Sequence, residues 1–320
     1  MSRVARVRVV ALNPSVDVEW RTGPLRSEEK NELLSETRWP GGKGVNVSRW
    51  LRWLGIAPRL LLPLGGAVGR ELANGLKAEG IRFDVHPLAA GNRVNYLVTP
   101  SSGPQFRFNA TWPRLRATDC RALRKAADAA AVGFHWTIFS GTLPFGAPRD
   151  TYAWLVRQAV RRGQKVVLDC DGEAFALAAA QHPFLVKPNE FELAQWAGTE
   201  FRTDAELFQA ARRLSETTEG WVLVTRGPKG ALLLNSKIQN AWMATPPTVE
   251  VRNTVGAGDA TVAGAVAGLC GSDDPATWLR LAVGTGTTAT QVAPGQLATL
   301  RTASQTASGV VIRECPGVFP

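Results

Sequence analysis

From Arg59 onward the chain alternates between short unbroken apolar runs and longer stretches whose apolar residues recur at helical spacing. The runs "RLLLPLGG", "WTIFSGTLP", "KVVLDCDG", "FLVKPN" and "GWVLVTRG" are rich in branched residues and have no polar alternate face. That is the pattern of strands buried on both sides. Between them, residues 118–131, 149–162 and 203–216 carry the spacing of amphipathic helices. Strand–helix alternation predicts an α/β fold, doubly wound around a mainly parallel sheet with helices on both faces. Ligands of such sheets bind beyond the carboxyl ends of the strands. The polar and Gly-rich residues that follow each run are therefore the ones to examine for chemistry.

Two stretches break the rhythm. Residues 16–42 and 92–113 read as antiparallel hairpins, the second with Val94, Tyr96 and Val98 on one side and a Ser-Ser-Gly-Pro turn before Phe106 and Phe108. The expectation is one domain over residues 1–320, with segments of about 14–42 and 92–113 forming a small antiparallel β sheet that projects from it. Trp20, Trp39 and Trp112 would give this sheet an apolar face that needs a partner or a ligand as cover. There is no internal repeat, and the residues from Arg301 onward carry no readable pattern.

Composition narrows the class. A chain of 320 residues, 45% apolar and 20% charged, can bury one large core and is an ordinary globular protein. Arg8 interrupts the first apolar run and Asn13-Pro14 ends it, which suits a first strand and not a signal peptide. No stretch approaches 18 apolar residues, so no membrane span is expected. Cys120, Cys170, Cys270 and Cys315 stand apart, without metal-site spacing, and fit a reducing cytoplasm. The net charge of +10 comes from 37 scattered basic residues with no nucleic-acid signature. Such a dispersed positive field draws in small anions such as nucleotides and sugar phosphates.

Four stretches carry candidate chemistry. In "NTVGAGDATVAGAVAGL", Gly256, Ala257 and Gly258 bare the backbone at the mouth of a small-residue helix, where unpaired N–H groups attract anions. Asp259 or Thr254 is either a helix cap or, beside an anion hole, a base that takes a proton from a group attacking the anion. "GGKGVNVSRWLRWLG" opens a helix with Lys43 and Asn46 at its exposed start, suited to a polyhydroxylated or phosphorylated ligand, and Asp17 adds an acceptor for hydroxyls. It is not a P-loop, because no Gly-Lys-Ser/Thr end follows a spaced glycine. "LVKPNEFEL" offers Lys187, Asn189 and Glu192: either a hydrated magnesium site beside nucleotide phosphates, or a capping box. "VTRGPKGALLL" is a strand–turn–strand whose Gly227 and Gly230 allow a flat ring to approach.

The order of these stretches is more specific than any one of them. "NPSVD", "GGKGVNV", the lone Arg93, "SGTLP", "VLDCDGEA", "KPNEFEL", "VTRGPKGALL" and "NTVGAGDATVAG" follow one another as in the PfkB, or ribokinase-like, carbohydrate kinases. The chain is similar to that family over about residues 4–291, and most similar to its phosphosugar branch, the 1-phosphofructokinases and tagatose-6-phosphate kinases. The resemblance implies a ribokinase-like fold with the hairpins as a lid, through which relatives often dimerise. It implies an ATP- and Mg2+-dependent cytoplasmic kinase that converts a hexose monophosphate (fructose 1-phosphate, tagatose 6-phosphate or fructose 6-phosphate) to a bisphosphate. Carried over residue by residue, Asp259 would be the general base, and Gly256, Ala257 and Gly258 the anion hole. Asp17, Gly42 and Asn46 would bind sugar hydroxyls, while Lys43, Arg93 and Lys30 would hold the phosphate already on the substrate. Lys187, Asn189 and Glu192 would serve the nucleotide phosphates and magnesium, and Thr225, Arg226, Gly227 and Gly230 the adenosine side.

The chain also departs from the pattern. Asn253 stands where ribokinases carry an aspartate tied to a monovalent cation, which argues against potassium activation. Ala260 follows the base where serine is common, and "FNATWPRLR" replaces the branch's usual Gly-Pro sequence beside the substrate. Other readings are a kinase of an unphosphorylated sugar or nucleoside, disfavoured by Lys43 and Arg93 at the acceptor end, and a catalytically silent sugar-phosphate-binding protein. A dinucleotide-dependent oxidoreductase is disfavoured because the first strand leads to Asn-Pro and not to a Gly-x-Gly-x-x-Gly turn.

Overall fold

Continuous branched apolar runs bury both faces of a strand only if helices cover the sheet on both sides, and the computed structural model has that arrangement. It describes residues 5–129, 132–238 and 240–316. In chain order the elements are β1 (Val7–Val10), β2 (Ser15–Thr22), β3 (Leu33–Gly41), α1 (Lys43–Trp53), β4 (Arg59–Leu64), α2 (Gly66–Ala78), β5 (Arg82–Pro87), β6 (Arg93–Pro100) and β7 (Phe106–Phe108). Then come α3 (Ala117–Ala129), β8 (Trp136–Ser140), α4 (Thr151–Arg161), β9 (Lys165–Asp169), α5 (Gly172–Ala179), β10 (Leu185–Val186), α6 (Glu190–Ala197) and α7 (Asp204–Thr218). The last are β11 (Trp221–Thr225), β12 (Ala231–Asn235), β13 (Asn240–Thr245), α8 (Ala257–Gly271), α9 (Pro275–Thr290), α10 (Leu300–Ser308) and β14 (Val311–Pro316). The helix expected over residues 118–131 is α3, and its last two expected residues lie outside the described ones.

Ten strands form the main sheet, in the order β14-β13-β12-β11-β10-β9-β8-β1-β4-β5. The seven from β11 to β5 are parallel, and β12, β13 and β14 run antiparallel at one edge. Val7, Val9, Leu60, Leu62 and Ile138 pack on one face with α1, α2, α8 and α9. Val10, Leu61, Phe139, Leu168 and Val224 pack on the other with α3, α4, α5, α6 and α7. The tail that gave no sequence signal is α10 and β14, which completes the sheet edge against β13.

From β1 the chain crosses to β4 on one side and later returns to β8 on the other, so the strand order reverses beside β1. A crevice opens there at the carboxyl ends of the strands. The lid is a four-stranded sheet in the order β3-β2-β6-β7. Its two hairpins, β2–β3 and β6–β7, are antiparallel as expected, but they join through a parallel β2–β6 pair. Its alternation sorts two faces: Asp17, Asn95 and Arg107 turn to the crevice, while Trp20, Val98, Phe106 and Phe108 line an apolar hollow elsewhere. The expected tryptophan trio is thereby split. Trp20 packs tilted against Tyr96 with ring centres 4.9 Å apart, Trp39 is buried over Gly295 in the body, and Trp112 is 67% exposed.

Candidate active site

The glycines before Asp259 make a helix start that no side chain caps. Gly256 is the N-cap residue of α8, at φ +78°, and neither Thr254 nor Asp259 donates or accepts a capping bond there. Asn253 instead braces the approach, its side chain bonding the N–H and C=O of Val255. The N–H groups of Gly258 and Asp259 lie in the first turn, which has no intrahelical acceptors, and both residues line the crevice, where such a helix start suits an anion. Asp259 is buried, and Asn46 of α1 donates to its Oδ2 at 2.8 Å. Burial, then the charge of Asp169, pushes the Asp259 carboxyl up to about 7, against the Asn46 bond and the nearby Lys43 and Lys187. A carboxyl near neutrality beside an anion hole is equipped to take a proton.

On one side of this helix start lies a cleft of about 510 Å³ lined by Asp17, Asn46, Arg93, Asn95, Arg107 and Asn109, among others. Asp17 Oδ1 accepts from Ser15 Oγ at 2.7 Å and from Asn95 Nδ2 at 2.9 Å. Burial raises its pKa, against those bonds, Arg93 and the Gly42 N–H. The glycine pair of the "GGKG" stretch serves this aspartate. A Cβ on Gly41 would fall within the Asp17 carboxylate, and Gly42 turns the chain at φ +95° into α1. Arg93 donates to the carbonyls of Ala110 and Asn13 at 3.3 and 3.2 Å, and its Nε is buried without a partner among the described residues. Arg107 reaches across from the lid to Thr254 Oγ1 at 3.2 Å. Lys30 is exposed between β2 and β3 and does not line the cleft of its own chain, because the chain that carries it runs outward along the lid.

Lys43 lines the same cleft but stands among carboxylates: Nζ is 3.6 Å from Glu192, 3.9 Å from Asp169 and 4.0 Å from Asp171. Burial alone would lower its pKa, yet Asp169, Asp171, Glu192 and Asp259 together hold it above the ordinary lysine value. Lys187 pairs with Asp169 at 3.2 Å, and burial of Asp169 is outweighed by the two lysines, so its pKa is lowered. Asn189 and Glu192 do form a capping box at the start of α6: Asn189 Oδ1 accepts from Glu192 N, and Glu192 Oε2 from Asn189 N. Glu192 Oε1 remains outside that box, on the side of Lys43. Among the described residues no group of three or more His, Cys, Asp or Glu is arranged to hold a metal. One carboxylate oxygen fits a hydrated magnesium that arrives with phosphates, and does not fit a protein cage.

On the other side of α8's start is an open, mostly apolar hollow of about 600 Å³, lined by Gly227, Gly230, Pro246, Val251, Val283 and Thr287 among others. Thr225, Thr254 and Gly258 line both spaces, so the two meet at the anion hole. A Cβ on Gly230 would collide with the Ala244 carbonyl, which keeps this wall flat. Arg226 belongs to neither space. Its guanidinium turns back to Asp204 at 2.5 Å and Glu190 at 3.6 Å, tying the end of β11 to the starts of α7 and α6. That corrects its expected place at the adenosine side, since successive residues beyond a strand point to opposite sides.

Sequence reasoning assigned no role to Asp169, Asp171, Asn95, Arg107, Asn109 or the Pro246–Pro247 wall. Asp169 and Asp171 follow the "KVVL" run at a carboxyl strand end, a usable signal. The lid residues gave none, because their side depends on the register of β6 with β2.

The chain is similar to known proteins over most of its length. The model of the pfkB family carbohydrate kinases matches residues 15–302. The 1-phosphofructokinase of Bacillus subtilis is 31% identical over 263 residues, 82% of this chain and 85% of that one. The 1-phosphofructokinase of Escherichia coli is 30% identical over 289 residues, 88% and 89% of the two chains. The solved phosphofructokinase-2 from Escherichia coli in complex with fructose-6-phosphate superposes with a TM-score of 0.87 at 27% identity, covering 95% of this chain and 98% of that one.

Proposed function

Because the chain belongs to the pfkB family of carbohydrate kinases, we propose that it transfers the γ-phosphoryl group of ATP to a hydroxyl of a hexose monophosphate, with fructose 1-phosphate as the first acceptor to test. It is a phosphotransferase with an alcohol acceptor and a member of the phosphosugar branch. The observation that carries the site reading is Asp259: buried, uncapping, and bonded by Asn46 where a polar cleft and an apolar hollow meet.

In this reading Asp17, Gly42 and Asn46 hold sugar hydroxyls in the polar cleft, and Arg93 faces the phosphate already on the substrate. Thr225, Gly227 and Gly230 border the adenosine in the apolar hollow. Asp259 takes the proton of the acceptor hydroxyl as its oxygen bonds to the γ-phosphorus, the bond to the β-phosphate oxygen breaks, and ADP leaves. The amides of Gly258 and Asp259 hold the charge that spreads over the transferred oxygens. Lys43 and Lys187, fixed by Asp169, lie along that path. Magnesium would neutralise phosphate charge, with Glu192 Oε1 and, through a water, Asn189 on its protein side.

One domain over residues 1–320, a cytoplasmic setting and a homodimer through the lid complete the reading. The four cysteines are free, and no helix of the described residues is long and apolar enough to cross a membrane. Leu33, Phe106 and Phe108 leave the lid's outer face exposed and apolar, as a second lid would cover it. The test is ADP release across fructose 1-phosphate, fructose 6-phosphate, tagatose 6-phosphate, ribose and nucleosides. Turnover of phosphosugars well above ribose and nucleosides is expected; equal or better turnover of the uncharged sugars overturns the phosphosugar assignment.

A further inference from the structure

A buried guanidinium needs acceptors around it, and Arg8 has none. It stands within β1, fully buried, and among the described residues all three of its side-chain nitrogens lack a hydrogen-bond partner. Burial pushes its pKa down to about 10, with Asp84 acting against that fall and Arg59 adding to it. The neighbours explain the shortage. Thr137, opposite Arg8 on β8, gives its hydroxyl to Gln164. Asp84 accepts from Arg59 through both oxygens, at 2.9 and 2.5 Å, so its charge is already taken.

Sheet register gathers further positive charge at the same place. Arg8 pairs with Arg59 of β4 and Arg59 with Arg82 of β5, which sets the three side by side on one face, in strands roughly 4.8 Å apart. Arg6 joins them from two residues before Arg8. The Arg6 and Arg8 guanidiniums lie 5.3 and 5.5 Å from the centre of one ring, that of Phe134. Arg6 and Arg82 are exposed, and among the described residues neither pairs with a carboxylate. Phe134, the ring over Arg8, is itself only half-buried.

We propose that Arg8, Arg6 and Arg82 form a binding site for one small oxyanion, inorganic phosphate or sulfate, which enters where the Phe134 ring lies. The depth of the arginines sets the ligand's size. A single tetrahedral ion can touch the exposed pair and Arg8 beneath, whereas an extended polyanion would meet the exposed pair alone. Guanidinium forks match its oxygens in pairs, and charge-assisted hydrogen bonds exceed the cation–π contacts that the ring gives up. The site lies at the amino ends of the strands, the opposite end of the sheet from the cleft, and does not depend on the kinase reading. Because register assembles these arginines only in the folded chain, the bound ion stabilises the fold.

The experiment is thermal melting against inorganic phosphate at constant ionic strength, with sodium chloride as the control salt. It compares wild type, Arg8→Met and the double variant Arg6→Gln/Arg82→Gln. Methionine fills much of the volume of the arginine stem and needs no acceptor. Phosphate tenfold above its dissociation constant should raise the wild-type melting temperature by ~2–4 °C beyond sodium chloride. Phosphate held in the active-site cleft contributes alike to all three proteins and cancels between them. The rise should fall by about half or more in Arg8→Met and in the double variant. An undiminished rise in either variant overturns the site and leaves water as the partner of Arg8. A sodium chloride response as large as that to phosphate overturns it as well, since screening would then account for the effect. If Arg8→Met does not fold, the double variant decides by the same measure.

Discussion

At the residue scale the chemistry concentrates on Asp259. As its carboxyl titrates near 7 and acts as a base only when ionised, kcat should rise about tenfold per pH unit below that value and level off above it. A pH–rate profile checks this, and a flat profile from pH 5.5 to 8 would remove the base from Asp259. Asp259→Asn keeps the shape and the acceptor for Asn46, so kcat should fall by roughly 10²–10⁴-fold with ATP binding intact. The stability effect has the opposite sign. Because burial holds the folded pKa above the ordinary 3.8, the folded state keeps a proton that the unfolded chain has released, and stability is lost as pH rises from there to about 7. Above pH 7 the asparagine variant, free of that buried charge, should melt no earlier than wild type. Thermal melts at pH 8 decide, and a large drop would make Asp259 a structural group.

At the element scale, the starts of α1 and α6 each serve two ends. Gly41 ends β3 where only a hydrogen fits beside Asp17. Gly41→Ala must displace that carboxylate from Ser15 and Asn95, so KM for the sugar should rise at least about tenfold, from loss of contacts of charge-assisted strength, with KM for ATP unchanged. Glu192 caps α6 through Oε2 and turns Oε1 to Lys43. A glutamine oxygen still accepts the Asn189 N–H, so Glu192→Gln should melt close to wild type, whereas losing the cap altogether would cost about 1 kcal/mol. The same variant should need more magnesium for half its maximal rate. An unchanged magnesium titration would leave Glu192 as a cap alone.

At the scale of the whole molecule, the lid has two faces, one lining the cleft and one apolar and exposed. Phe106 and Phe108 are exposed on one side of β7 while Arg107, between them, turns to the cleft. Burying the outer face against a second copy would remove an apolar patch that a monomer leaves in water. Sedimentation should therefore find a dimer, and Phe108→Asp should shift it to monomer by placing a charge in that face. A wild type that is monomeric at every concentration would leave the lid's outer face needing another cover.

The chain's own pattern determined the architecture and marked the residues at the centre of the candidate site. Short branched runs bounded by turn residues read as doubly covered strands, and glycines ahead of Asp259 and Lys43 marked the two helix starts that the fold brings together, because each motif's chemistry is local. Capping at Asn189–Glu192 was legible for the same reason, since its partners lie three residues apart. What only the tertiary structure decided depends on which side a residue faces and on partners far along the chain. Register sent Arg107 into the cleft and its two phenylalanines out. The end of β11 turned Arg226 away to Asp204, and the body took Trp39 from the lid to cover Gly295. Asp169 and Asp171 sit at a legible strand end, but their partner was decided when β9 ended beside α1 and, with Glu192 of α6, surrounded Lys43 with three carboxylates. The tail that read as patternless became α10 and β14 because an edge strand needs only a neighbour's unpaired backbone, and backbone pairing leaves little trace in side chains.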